Sequence, residues 1–213
     1  MRSFLIIGAG KFGTHLALEL YRLGNEVMLV DREETKINEV SCLVTAAEIG
    51  DYTIKSNLEA LGISDFDYIF VCMSDFKNSL MIIDYLKELG AKNIVAKASG
   101  EVHEKFLIKN GADRVIYPER DFALTTAVEY SNRKIFDFIK LSDDTAIYEI
   151  EVPNKWCSHN LATLDVRRKH NVSVLASKSN GRVVAINSAD YTFKKDEHIY
   201  VMGTQKDVAK LTK

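Results

Sequence analysis

Strand-length apolar runs alternate with stretches of helical spacing along residues 1–118. The runs are "SFLIIG", "EVMLVD", "LVTAAEIG", "DYIFVCM", "NIVAKA" and "DRVIY". Between them lie "GTHLALELYRLG", "EETKINEV", "TIKSNLEALG", "KNSLMIIDYLKELG" and "EVHEKFLIKNG", whose apolar residues recur every three or four positions. Parallel neighbours need crossovers of about a dozen residues, and these segments have that size. Several end in a glycine suited to stopping a helix: Gly24, Gly62, Gly90 and Gly111. The pattern predicts an α/β fold, a Rossmann-like doubly wound parallel sheet over residues 1–118.

After Pro118 the rhythm changes. "ERDFALTTAVEYSNRKIFDFIKL" reads as one long helix, a connector over residues 119–140. Beyond it "TAIYEIEVP", "VSVLASKS", "RVVAIN" and "EHIYVMGT" alternate apolar and polar positions as half-buried strands do. "NLATLDVRRKHN" and "QKDVAKLTK" read as helices, Pro153 closes the first strand, and Asn180-Gly181 is a hairpin signal. Residues 141–213 are therefore expected to form a smaller α+β subdomain.

Composition narrows the function classes. The 213 residues are 46% hydrophobic and 27% charged, which is ordinary globular chemistry. A net charge of −2, with no run of five or more Lys and Arg, gives no electrostatic case for nucleic acid or a membrane surface. No apolar run reaches spanning length and no signal-type segment precedes Gly8, so a cytoplasmic location is expected. Cys42, Cys72 and Cys157 lack CxxC spacing and read as reduced thiols.

The opening stretch "FLIIGAGKFGTHLALEL" carries the clearest chemistry. Gly8-x-Gly10-x-x-Gly13 follows a strand and opens a helix, the arrangement that lets a phosphate approach backbone and helix N-terminus. Asp31 ends the second strand about 20 residues on, where a carboxylate meets ribose hydroxyls. The alternative is that the glycines only shape a turn and Asp31 caps the next helix. Gly50, Asp51 and Thr53 of "EIGDYT" follow the third strand on the same rim, although Thr53 is also a natural cap for "IKSNLEALG". Lys11 sits within the glycine turn and could reach a terminal phosphate, and Lys97 ends the fifth strand with the same ambiguity. Phe12, Arg32, Met73 and Ser74 complete the candidate rim. His15, His103, His159, His170 and His198 form no HExxH pair, and neither GxSxG nor GxxxxGK[ST] occurs. The sequence offers no acid–base set for catalysis.

"GAGKFGTHLALELYRLGNEVMLVDREETKINEV", "GDYT…LEALGISDFDYIFVCM", "KNIVAKA" and "GADRVIYPERD" together resemble the N-terminal domain of the RCK (regulator of potassium conductance, or KTN) family. The tail resembles that family's C-terminal subdomain, and the likeness is strongest to the cytosolic subunits of bacterial Trk/Ktr-type potassium uptake systems. The resemblance implies a homo-oligomer, dimers assembling into a ring, peripheral on the inner membrane face through a potassium-translocating subunit that it gates. It implies ATP or ADP, or in some members NAD(H), bound without chemistry: phosphates at Gly8, Gly10 and Gly13, ribose at Asp31, adenine near Asp51 and Thr53. Lys11 stands where relatives carry an arginine, so the bidentate fork for a third phosphate is lost. Glu119 matches a position linked to a cation, divalent or monovalent, beside that phosphate. Arg167, Arg168 and His170, in "LDVRRKHN", fall where some relatives bind cyclic di-AMP. The rival readings are a small NAD(P)-dependent oxidoreductase, which would need an acid–base set, and a redox-sensing repressor, which would need a basic helix-turn-helix.

Overall fold

The computed structural model describes residues 1–212. It divides into two compact units, Met1–Pro118 and Glu119–Lys213.

Unit 1 is a six-stranded parallel sheet of β1 (Ser3–Ile7), β2 (Glu26–Asp31), β3 (Ala46–Ile49), β4 (Tyr68–Val71), β5 (Ile94–Lys97) and β6 (Arg114–Ile116). The strand order is β3-β2-β1-β4-β5-β6. The crossovers are α1 (Lys11–Arg22), α2 (Glu34–Asn38), α3 (Lys55–Ala60), α4 (Phe76–Glu88) and α5 (Glu101–Lys109). Helices cover both sheet faces, so the central strands are apolar on both sides. Phe4, Ile6, Val27 and Leu29 pack with Ala17 and Ile37 on one face. Leu5, Ile7, Val30, Ile69 and Val71 pack with Leu58, Ile82, Leu86 and Leu107 on the other. The order reverses direction between β1 and β4, which opens a crevice at the carboxyl ends of these strands.

Unit 2 is a five-stranded antiparallel sheet of β7 (Ile135–Lys140), β8 (Thr145–Glu151), β9 (Ser173–Ser179), β10 (Arg182–Ala185) and β11 (His198–Thr204), in the order β10-β9-β11-β8-β7. Its helices are α6 (Pro118–Ser131, which begins at the last residue of unit 1), α7 (Leu161–Leu164), α8 (Val166–His170) and α9 (Gln205–Leu211). Its core gathers Tyr148, Ile150, Trp156, Phe193, Ile199 and Val201. Asn180 and Gly181 both take positive φ, +52° and +76°, as a two-residue type I′ hairpin requires.

Two expectations need correction here. The stretch read as one connector helix through residue 140 is helical only to Ser131; Ile135–Lys140 is a strand paired with β8. Ile135, Phe138 and Ile139 fit a helical period, but Ile135 and Phe138 are buried as residues of a bulged strand, the shift lying between Ile135 and Asp137. Short apolar runs are ambiguous in this way. The single helix expected over "NLATLDVRRKHN" is two, separated at Asp165, which adopts φ +46°.

Candidate nucleotide cleft

The crevice holds a cavity of about 450 Å³. Its walls come from four strand ends: Gly8 and Gly10 after β1, Asp31 to Glu33 with Lys36 after β2, Gly50 to Thr53 after β3, and Cys72 to Asp75 with Asn78 after β4. The sequence-selected residues Gly8, Gly10, Asp31, Arg32, Gly50, Asp51, Thr53, Met73 and Ser74 therefore converge.

Each glycine of the first turn has a different constraint. Gly8 takes φ +109°, and a Cβ there would stand 3.2 Å from the Cys72 backbone. A Cβ on Gly13 would sit 2.0 Å from the Gly8 carbonyl oxygen, so its absence lets α1 lie directly on the turn. A Cβ on Gly10 would meet nothing within 4 Å. Gly10 is the N-cap of α1, no side chain accepts from its first turn, and no acidic residue stands there. The positive end of a 12-residue helix thus opens without a side-chain acceptor, a standard setting for an anion.

Asp31 does not cap α2, whose N-cap is Glu33 without a side-chain bond. Instead Ala9 N–H donates to its Oδ2 at 2.7 Å and Glu33 N–H donates to its Oδ1 at 2.9 Å. The carboxylate ties the glycine turn to the β2–α2 loop while each oxygen keeps acceptor capacity for a ribose hydroxyl.

Across the cleft, Thr53 is not the cap of α3 either; that position is Ile54. Thr53 N–H and Oγ1–H both donate to Asp51 Oδ1, at 3.0 and 2.6 Å, and Asn57 Nδ2 donates to the Asp51 carbonyl at 2.8 Å. The Thr53 hydroxyl bond, then its backbone bond, hold the Asp51 carboxyl below its ordinary pKa. Tyr52 is buried with its ring over Gly50, where a Cβ would lie 3.1 Å from it. Burial, followed by the charge of Glu48, raises the Tyr52 phenol well above its usual range. Cys72 forms the floor, its thiol pushed up to about 12 by burial, against a small opposing effect of Lys97.

Other selected residues lie off the cleft lining. Lys11 is exposed on the first turn of α1, and Phe12 packs into the core beneath that helix. Lys97 ends β5 without lining the cavity. Glu119 stands in the first turn of α6, in unit 2. Among the described residues no group of three or more His, Cys, Asp or Glu is placed to hold a metal ion. Arg167 and Arg168 line a separate depression of about 360 Å³ with Leu161, Asp165 and Val174. His170 turns away from it against Trp156, at 5.6 Å between ring centroids, and burial, then Lys155 and Lys169, lower its pKa.

Sequence reasoning missed Glu33, Lys36, Tyr52, Asp75 and Asn78. Asp75 was findable, because its Oδ1 accepts from Asn78 N–H at 2.7 Å as an N-cap opening α4. Lys36 was not, since its place on the rim depends on how α2 folds back over β2.

The TrkA-N domain family matches residues 4–118. The chain is 32% identical over its full length to the Ktr system potassium uptake protein C of Bacillus subtilis, covering 96% of it. It is 34% identical over 97% of its length to the Ktr system potassium uptake protein A of the same organism, covering 94% of that protein. Among solved structures, the GsuK channel bound to NAD superposes on 99% of this chain with a TM-score of 0.68 and 16% identity, which covers 39% of the channel chain and shows shared fold. With the glycine turn, Asp31 and the Gly50–Thr53 loop on one rim, and with the family match spanning nearly all of that unit, the chain belongs to the TrkA-N domain family.

Proposed function

We propose that this chain is a nucleotide-sensing regulatory subunit that gates a membrane potassium-translocating protein. The observation that carries this reading is the cleft itself: a helix N-terminus without a side-chain acceptor faces a carboxylate fixed by two backbone amides. That combination suits the phosphate and ribose of an adenine nucleotide. The full-length likeness to Ktr potassium uptake proteins supplies the partner. No helix among the described residues is long and apolar enough to cross a membrane, so the chain would act at the cytoplasmic face through that partner.

ADP or ATP is the favoured ligand, with NAD(H) next. Asp31 disfavours a ribose 2′-phosphate. Lys11, a point charge without a guanidinium fork, gives little selection for a third phosphate. Ligand binding favours one arrangement of a homo-oligomeric ring over another. Only differential affinity for the two arrangements can do this, and about 5 kcal/mol summed over several subunits moves a ring from mostly one state to mostly the other. The oxidoreductase reading would need a cleft carboxylate, Lys36 or Tyr52 as its proton-transfer group, since no histidine lines the cleft and burial raises the Cys72 thiol pKa.

Titration calorimetry with ADP, ATP and NADH tests this. Saturable heat with no nucleotide consumed over hours supports it, and steady turnover of any of the three rejects it.

A further inference from the structure

The strand order fixes the order of ligand parts along the cleft. In β3-β2-β1-β4 the Gly50–Thr53 loop, Asp31, the glycine turn and the β4 end follow one another along one rim. With ribose at Asp31 and phosphate at the start of α1, a longer phosphate chain would run on towards β4. The glycine turn and the β4 end adjoin: Cys72 N–H donates to the Ile7 carbonyl at 2.8 Å, and a Cβ on Gly8 would stand 3.5 Å from Met73 Cγ. Asp75, two residues beyond Met73, lines the same cavity and opens α4.

The two long helices that open into the cleft are unlike. α1, of 12 residues, begins with no side-chain acceptor and no acidic residue in its first turn. α4, of 13 residues, brings its own carboxylate: Asp75 Oδ1 accepts from Asn78 N–H at 2.7 Å, so the positive end of this helix already faces an anion. The cations of the lining stand elsewhere. Arg32 and Lys36 both follow β2; Lys36 Nζ pairs with Glu33 Oε1 at 2.6 Å, and Arg32, after the Thr53 bonds, helps to lower the Asp51 pKa on the β3 side. Lys11, Lys77 and Lys97 lie outside the lining. Among the described residues, Asp75 is therefore the one charged side chain that lines the β4 end.

We propose that Asp75 is the specificity-determining residue for the ligand's phosphate count: it admits ADP and disfavours the third phosphate of ATP by like charge. The inference rests on the nucleotide reading of the cleft and narrows it from adenine nucleotides in general to the diphosphate. One helix N-terminus is open to phosphate, and the other is closed by a carboxylate of its own. A third phosphate reaching past α1 meets that carboxylate and a helix end already neutralised, with no lining cation beside it. Asparagine and serine cap a helix about as well as aspartate, so α4 does not need the charge. What aspartate adds at this position is repulsion of a further anion.

Calorimetric titration of the full chain with ADP and with ATP, in EDTA so that no divalent cation screens the phosphates, is the test. The native protein is expected to bind ADP about fivefold more tightly than ATP. Asp75→Asn keeps an acceptor for Asn78 N–H and removes only the charge. It should raise ATP affinity about fivefold and leave ADP affinity within about twofold, with the melting temperature unchanged. Asp75→Ser, a second uncharged cap, should do the same and serves if the asparagine variant folds poorly. The proposal is overturned if the native protein binds ATP as tightly as ADP, or if both variants keep the native ratio of the two affinities. Native protein that takes up neither nucleotide rejects the nucleotide reading, and the role of Asp75 with it. Uptake of both at a ratio indifferent to Asp75 rejects that role alone, so the two failures are told apart.

Discussion

Gly10 and Gly13 lie three residues apart in one turn, yet alanine should damage them in opposite ways. At Gly13 the new methyl carbon would start 2.0 Å from the Gly8 carbonyl oxygen, with Cys72 Cβ at 3.2 Å behind it. A carbon–oxygen contact relaxes only beyond about 3.2 Å, so α1 would have to retreat from β1 by roughly 1 Å along its first turn. Both obstacles are core atoms, one backbone and one buried, which places the cost at the upper end of overpacking, about 3 kcal/mol. At Gly10 the methyl meets nothing within 4 Å, and φ −73° is an ordinary value for alanine. The fold should be unaffected or slightly stabilised. In the proposed site the methyl occupies the space a phosphate needs to reach the α1 amides, and ADP affinity should fall at least tenfold. Thermal denaturation and ADP calorimetry on both variants are the assays. A Gly10→Ala protein that binds ADP as well as the original would refute the placement of the phosphate, and a Gly13→Ala protein of unchanged stability would refute the packing argument.

Asp31→Ala removes both backbone bonds that tie the turn to the β2–α2 loop, and should weaken ADP binding about 30-fold, roughly 2 kcal/mol; calorimetry that finds less than a threefold loss contradicts a ribose role. In unit 2, Glu149 is 2% exposed and accepts from Lys178 Nζ at 2.7 Å, His198 Nδ1 at 2.7 Å and Tyr200 OH at 2.8 Å. Glu149→Ala should destabilise that unit by about 3 kcal/mol in urea unfolding, with Glu149→Gln recovering part of the loss. Burial alone would raise the Glu149 pKa, but the Lys178, His198 and Tyr200 bonds outweigh it and hold it below the ordinary glutamate value. Its contribution is therefore complete above that ordinary value and is lost as pH falls through the lowered one, so the stability difference between native protein and Glu149→Gln should shrink in acid and not in base. Finally, Cys72 should react with a thiol reagent at neutral pH far more slowly than exposed Cys42, because it is buried and burial raises its thiol pKa; equal rates would show that the cleft floor opens.

Much of this molecule is legible in its sequence because local and global signals agree in unit 1. Successive apolar runs there are joined by segments of helical spacing, the pattern of a doubly wound parallel sheet. The glycine spacing and Asp31 point to one rim because both lie at strand ends. Prediction fails where period and context compete. Ile135, Phe138 and Ile139 satisfy a helical spacing, and only the neighbouring β8 makes them a strand. Thr53 looks like a cap until Asp51 claims its hydroxyl, and the α7–α8 break depends on a left-handed Asp165 that propensity does not favour. Lys36 and Tyr52 reach the cleft through the path of the chain after each strand, which no spacing rule reports.

The central claim is that an adenine nucleotide held at the first strand-to-helix turn changes how subunits are arranged and is not consumed. Small-angle X-ray scattering of the purified assembly, titrated with ADP and ATP while nucleotide content is followed by chromatography, tests it directly. The account predicts a saturable change in the scattering profile with nucleotide intact, absent in Gly10→Ala. An identical profile at every concentration of both nucleotides, or loss of nucleotide in step with the change, would contradict it.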